Sequence, residues 1–85
     1  MEELLSIEIS AKIARNLKRI RESKELTQAQ VAERANINRV TYSRLETARN
    51  IVTLQSLLKL AVALDVTADE LLSGVLEAIR EKSNA

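Results

Sequence analysis

One pattern recurs four times in this chain: an apolar residue, then Thr or Asn, then an apolar residue four places beyond the polar one. It occurs at Leu26/Thr27/Val31, Ile37/Asn38/Tyr42, Val52/Thr53/Leu57 and Val66/Thr67/Leu71. This is the hydrophobic staple, in which the polar side chain caps a helix start while the two apolar residues clamp the incoming chain. Thr27 with Gln30 and Thr67 with Glu70 add capping boxes. Four starts obeying one rule predict helices over about 28–35, 39–46, 54–64 and from 68 onward. Upstream, Leu5, Ile9, Ile13, Leu17 and Ile20 keep helical spacing. A further helix therefore covers residues 10–24, beginning at Ser10 or as early as Ser6, with Ile13, Leu17 and Ile20 inward. Glu25 and Leu26 make the turn after it. No stretch alternates with period two over the length of a strand. The expected fold class is all-α: a compact five-helix bundle with a C-terminal helical extension.

Eighty-five residues make one small domain, able to bury only about 60% of its unfolded surface. The core must be aliphatic, because Tyr42 is the only aromatic residue. Leu54, Leu57, Leu58, Ala61 and Leu64 of the apolar stretch TLQSLLKLAVAL are its expected centre. Residues 1–9 are an N-terminal extension or the early part of the first helix, 10–72 the main domain, and 73–85 a C-terminal helical segment. That segment is either broken near Ser73–Gly74 or continuous, and it should fray over residues 82–85. Its apolar stripe exceeds what a minimal five-helix core needs, so Leu72, Val75, Leu76 and Ile79 are expected to form a homodimer interface.

Composition removes several function classes. There is no Cys and no His, hence no disulfide, no thiolate site and no expectation of zinc, iron or another cofactor. With no phosphate-cradling Gly-rich loop and no evident carboxylate pair, an enzyme is not expected. The start MEELLSIEIS is acidic and unlike a signal peptide, and no run approaches the roughly 18 apolar residues of a membrane span. The expectation is a soluble, cytoplasmic protein with no membrane partner. The net charge of +1 conceals a partition. Residues 12–59 hold eleven Lys and Arg against four acids, giving +7, and the two ends together carry −6. A basic middle suits a nucleic-acid face, although charged helical surfaces alone would look similar.

The helix over 39–46 sharpens this. If Tyr42 and Leu45 point to the core, about 100° per residue leaves Val40, Ser43, Arg44 and Thr47 facing out, with Arg39 beside them. Two arginines, hydroxyls and one methyl-bearing side chain on a short helix can enter a major groove. Between this helix and the one before it lies Asn36, a residue type that tolerates left-handed backbone.

At this point the chain resembles the Cro/repressor-type helix-turn-helix family (the XRE family). The resemblance covers about residues 11–72 and is carried by IARNLKRIRESKELTQAQVAERANINRVTYSRLE followed by ARNIVTLQSLLKLAVALDVTADELL. It implies a lambda-repressor-like bundle. Where the family usually has Gly in the turn, Gly after the Leu-Glu pair and Pro before the fourth helix, this chain has Asn36, Ala48 and Val52.

The resemblance also implies roles. Arg39, Val40 and Arg44 would contact base edges, with Thr41 and Ser43 near the same edges; arginine suits guanine O6 and N7, and valine a thymine methyl. Gln28, Asn38, Thr47, Arg49 and Asn50 would contact phosphates. Arg21 would pair with Glu46, as a surface bridge or a buried one. The implied function is a dimeric, sequence-specific regulator of transcription acting on a palindrome in double-stranded DNA, a repressor or autoregulator that could also activate by touching RNA polymerase. Small stand-alone members of this kind include phage-type repressors and restriction–modification controller proteins. The alternative is a protein-interaction module, such as the DNA-binding antitoxin of a toxin–antitoxin pair, using the apolar Leu4, Leu5, Ile7 and Ile9.

Overall fold

A computed structural model describes the backbone of residues 2–83 and the side chains of residues 5–82. Six helices follow one another: α1 (Glu2–Ser23), α2 (Gln28–Ala35), α3 (Arg39–Glu46), α4 (Leu54–Leu64), α5 (Ala68–Leu71) and α6 (Val75–Ser83). No strand occurs among the described residues. α1 begins before both Ser6 and Ser10, because α6 packs against it and Ile9 lies on the core. The side chain of Leu4 and residues 84–85 lie outside the described residues. α6 continues through Ser83, so residues 82 and 83 of the 82–85 expected to fray are helical.

α1 is the spine. It packs against α3, α5 and α6, while α2 packs on α3 and α4, and α4 on α5. Leu17, Val31, Tyr42, Leu60, Leu64 and Leu71 are the largest fully buried side chains. The four staple positions are all helix starts. Thr27, Thr53 and Thr67 each accept from the backbone N–H three residues on, and Asn38 accepts from those of Val40 and Thr41. Leu26, Ile37, Val52 and Val66 pack half-buried against the core.

Four helix ends share a second device. Glu25, Asn36, Ala48 and Asp65 have φ of +57°, +53°, +60° and +55°. In each case the following residue donates its N–H five residues back: Leu26 to Arg21 (3.2 Å), Ile37 to Ala32 (2.9 Å), Arg49 to Arg44 (2.8 Å) and Val66 to Ala61 (3.0 Å). These are Schellman closures, which satisfy orphan carbonyls at a helix end. None uses glycine, so each left-handed residue carries a cost, about 1–2 kcal/mol for an ordinary side chain and less for Asn or Asp. Leu26, Ile37 and Val66 each close one helix and then serve as the outer half of the next staple, which makes three of the reversals tight.

The α5–α6 connection is a break. Leu72–Gly74 form a turn, and Gly74 has φ +79°, with a Cβ there falling 2.5 Å from the Lys12 Cε. Asn16, buried on α1, holds the turn: its Nδ2 donates to the carbonyls of Leu71 and Ser73, both at 2.9 Å. Its Oδ1 accepts from the Arg19 guanidinium at 3.3 Å.

Two core expectations need correcting. In α4 the buried residues are Leu57, Leu60, Ala61 and Leu64, while Leu54 and Leu58 are exposed. The helix is apolar nearly all round, so its periodicity did not select the inward face. In the C-terminal segment Val75 belongs to the protomer's own core, and Leu72 and Ile79 pack half-buried against that core. Only Leu76 of the four expected interface residues is exposed. The stripe that looked surplus covers α1.

Candidate nucleic-acid interface

α3 buries Tyr42, Leu45 and Glu46, and these three fix its rotation. Arg39, Val40, Thr41, Arg44 and Thr47 are exposed, and Ser43 is half-buried. Val40 keeps 59% of its surface in water, which no packing requirement explains. Gln28 from the start of α2, Arg39, Val40, Ser43 and Arg44 from α3, and Arg49 from the following loop line one shallow depression. Six of the residues expected to touch DNA thus share one concave surface. Arg39, Arg44 and Arg49 pair with no carboxylate among the described residues, so three positive charges face outward without local neutralisation.

The remaining expected contacts are placed differently. Thr41 is exposed and Asn50 half-buried, both outside the lining of the depression. Asn38 Oδ1 is engaged by the helix cap at 2.9 Å from Val40 N and 3.4 Å from Thr41 N. Its Nδ2 makes no hydrogen bond among the described residues and is the end suited to a phosphate. The Thr47 hydroxyl lies 3.1 Å from the Ser43 carbonyl and 3.3 Å from that of Arg44. Its proton is held by the helix end, so in this rotamer Thr47 has no donor for a phosphate.

Beneath the depression lies a polar cluster centred on Glu46. Arg21 donates from Nε to Oε2 at 2.6 Å and from Nη2 to Oε1 at 3.0 Å, a bidentate pair. Its Nη1 donates to the Leu26 carbonyl at 2.9 Å. The Tyr42 hydroxyl donates to the same carboxylate, and Gln28 Nε2 donates to Oε1 at 3.1 Å. The Glu46 side chain is 2% exposed and that of Arg21 13%, so the pair is buried rather than a surface bridge. Burial alone pushes the Glu46 carboxyl up, but hydrogen bonds from Arg21, Tyr42 and Gln28 bring it below its ordinary value. The same bond to Glu46 pushes the Arg21 guanidinium up. Burial, then the bond to Glu46, holds the Tyr42 hydroxyl far above the ordinary tyrosine range. The cluster ties α1, α2 and α3 together, and one Gln28 amide hydrogen is already committed to it.

Residue-level reading overlooked two members of this framework. The ring of Tyr42 reads as core, but a buried phenol also needs a partner, and Glu46 sits four residues on, on the same helical face. Asn16 falls among Ile13, Leu17 and Ile20 at an inward position, where a polar residue signals a buried hydrogen bond.

The helix-turn-helix family model (HTH_3) matches residues 17–71, from the second half of α1 through α5. The chain belongs to this family. It is an XRE-type helix-turn-helix protein, and the family consists of DNA-binding transcriptional regulators. Among solved structures, it is similar to the restriction-modification controller protein C.AhdI from Aeromonas hydrophila, with 32% identity over 73% of this chain and 94% of that one, at a TM-score of 0.71. The wild-type restriction-modification controller protein C.Esp1396I is 25% identical over 86% of this chain and 95% of that one, at a TM-score of 0.73. A hypothetical transcription factor, NHTF from Neisseria, is 29% identical over 86% and 84%, at a TM-score of 0.75. A comparison with curated protein sequences gave no match. Within this helix-turn-helix protein, α2 and α3 are the motif, and no described helix is long and apolar enough to cross a membrane.

Proposed function

We propose that this helix-turn-helix protein is a sequence-specific, dimeric regulator of transcription that reads a palindromic operator with α3 in the major groove. The observation that carries the reading is the depression shared by Gln28, Arg39, Val40, Ser43, Arg44 and Arg49. It combines donors suited to guanine, a methyl-bearing side chain suited to thymine, and unpaired cations for the backbone. In this reading Arg39, Val40 and Arg44 contact bases, with Thr41 and Ser43 at the edges. Arg49, Asn50, the Nδ2 of Asn38 and the second amide hydrogen of Gln28 hold phosphates. Thr47 takes part only after its hydroxyl rotates away from the helix end.

One α3 spans too few base pairs for a unique address, whereas two placed about 34 Å apart by a two-fold axis read both halves of a palindrome. The likeness to two restriction-modification controller proteins supports a cytoplasmic regulator of that kind, whose operator occupancy follows its own concentration. Repression by occupying a promoter, and activation by touching RNA polymerase, are both open to such a protein. The test is selection of bound duplexes from a randomised library at about physiological salt. Enrichment of a symmetric motif, with half-sites about one helical turn apart, is the expected result. A folded protein that enriches nothing would reduce the reading to non-specific electrostatics.

A further inference from the structure

Tyr42 stands on α3 but takes no part in its outward face. It is fully buried, and it is the only aromatic residue in the chain. Its hydroxyl donates to Glu46 Oε2, which also accepts from Arg21 Nε at 2.6 Å. The other oxygen, Oε1, accepts from Arg21 Nη2 at 3.0 Å and from Gln28 Nε2 at 3.1 Å. Two donors on each oxygen fill the acceptor sites of a carboxylate, so the cluster has one arrangement rather than several. Of its four members, only Gln28 also lines the depression over α3.

We infer that Tyr42 is a positioning residue for the grip on the DNA backbone: its hydroxyl pins the Glu46 carboxylate, which in turn presents the Gln28 amide to a phosphate. This rests on the regulator reading above and assigns a route by which the interior of α3 acts on DNA. An arginine–carboxylate pair alone can rock about the line joining the two groups. The phenol removes that freedom, because its ring is held by the core and its hydroxyl bonds the oxygen that Gln28 does not. A glutamine side chain is rich in rotamers, and fixing it before DNA arrives removes an ordering cost from binding. Nε2 carries two hydrogens. Glu46 takes one, and Nε2 makes no other hydrogen bond among the described residues, which leaves the second for a phosphate. Arg21 Nη1 donates to the Leu26 carbonyl at 2.9 Å, tying the same carboxylate to the turn before Thr27, the cap of α2. Tyr42 thereby links α3, which reads bases, to the start of α2, which holds the backbone. A phosphate contact carries no sequence information. Loss of the hydroxyl should therefore weaken all duplexes alike, although Tyr42 stands on the helix that tells them apart. A tyrosine that served the core alone would act differently: its loss would loosen α3, lower discrimination, and do so independently of Gln28.

The test is a double-substitution cycle of Tyr42→Phe and Gln28→Ala, with affinity read on a selected operator and on an unrelated duplex at one salt concentration. Phenylalanine keeps the ring and removes only the hydroxyl. Melting curves fix a temperature at which every variant is folded, and Leu64→Val, a core truncation outside the cluster, controls for lost stability. Each single substitution should weaken both duplexes by the same factor, roughly 3- to 10-fold per bound protomer, the scale of freeing one long side chain. The double variant should bind no more weakly than the weaker single one, as coupled residues do, and Leu64→Val should bind as wild type. Losses that multiply, or a loss confined to the operator, would overturn the proposal and leave the regulator reading standing. A second readout needs no substitution at Tyr42. In the NMR spectrum of the free wild-type protein, one Gln28 amide proton should lie downfield of those of the exposed Gln55, and only the other should move when either duplex is added. Ordinary shifts in the free protein, or a bonded proton displaced by DNA, would overturn the proposal even if Tyr42→Phe does not fold. A folded wild type for which no operator can be selected would instead sink the regulator reading, on which this one rests.

Discussion

α3 and α4 are neighbours with opposite designs. α3 commits three residues to the interior and presents the rest as separate chemical groups: guanidiniums, hydroxyls and one isolated valine. α4 is apolar on two sides, one filling the core and the other an exposed row. The lesson is that one exposed apolar residue among donors reads as part of a recognition surface, whereas a row of them at helical spacing is a face that the protomer leaves uncovered. The two designs also differ in what holds them. α3 is fixed by a buried ionic cluster, and α4 by ordinary aliphatic packing.

The sharpest way to break the comparison is to remove one partner of that cluster. Arg21→Ala leaves the Glu46 carboxylate buried against Tyr42 and Gln28 without its cation, and is expected to cost about 3–5 kcal/mol in chemical denaturation. A loss below about 1 kcal/mol would return the pair to the class of surface bridges. Next come the two faces of α4. Leu60→Ala should cost about 2–5 kcal/mol, as a buried truncation does, and Leu54→Ala should stay within about 0.5 kcal/mol. Equal costs would mean that the row is covered within the protomer.

The cluster has a pH signature as well. An unfolded tyrosine gives up its proton near 10.0, whereas folded Tyr42 keeps it. Above that pH the unfolded state therefore binds fewer protons, and stability should fall by about 1.4 kcal/mol per pH unit from this group. Tyrosinate absorbance, which has a single source in this chain, should rise only as the protein unfolds. Absorbance rising near pH 10.0 with helical signal intact would contradict the buried bond to Glu46. At the acid end the sign reverses: Glu46 is lowered when folded, so its contribution is complete above the ordinary carboxylate value of 4.5 and declines as pH falls through the folded value.

The smallest expected effect concerns Ala48, at φ +60° after α3. Ala48→Gly relieves the left-handed strain and should stabilise the fold by about 1 kcal/mol, read as a raised Tm. No gain would indicate that the bond from Arg49 to Arg44 already holds the loop at no strain.

How much of this could be read from residues alone follows the same physics. The starts of α2 to α5 were legible to the residue, because a cap requires a particular side chain at one position and a staple requires two more; the start of α1, which has no such signal, was not. The ends at Ala35, Glu46 and Leu64 were legible as well, but the closures that make helix ends were not, because Glu25, Ala48 and Asp65 take the left-handed conformation without the glycine that would have marked it. The outward face of α3 was legible because Tyr42 and Leu45 are its only large apolar residues apart from Val40. The inward face of α4 and the place of Val75 in α6 were misjudged for a common reason: apolar residues cover more than one side, and only the packing partners, α2 and α5 for α4 and α1 for α6, decide which side is core. The polar framework was legible in part. Arg21 and Glu46 came through resemblance, while Asn16 and the hydroxyl of Tyr42 stand on inward faces that pattern reading treats as apolar.

The central claim is that α3 spends little of its surface on the fold and most of it on recognition, and Arg44→Ala tests it most directly. Its affinity for the selected operator and for an unrelated duplex would be measured at one salt concentration, beside its Tm. The expected result is a loss of at least about 1–3 kcal/mol of discrimination per half-site, with stability within about 0.5 kcal/mol of wild type. Unchanged discrimination, or a large fall in Tm, would show that Arg44 serves the fold and that operator reading lies on another surface.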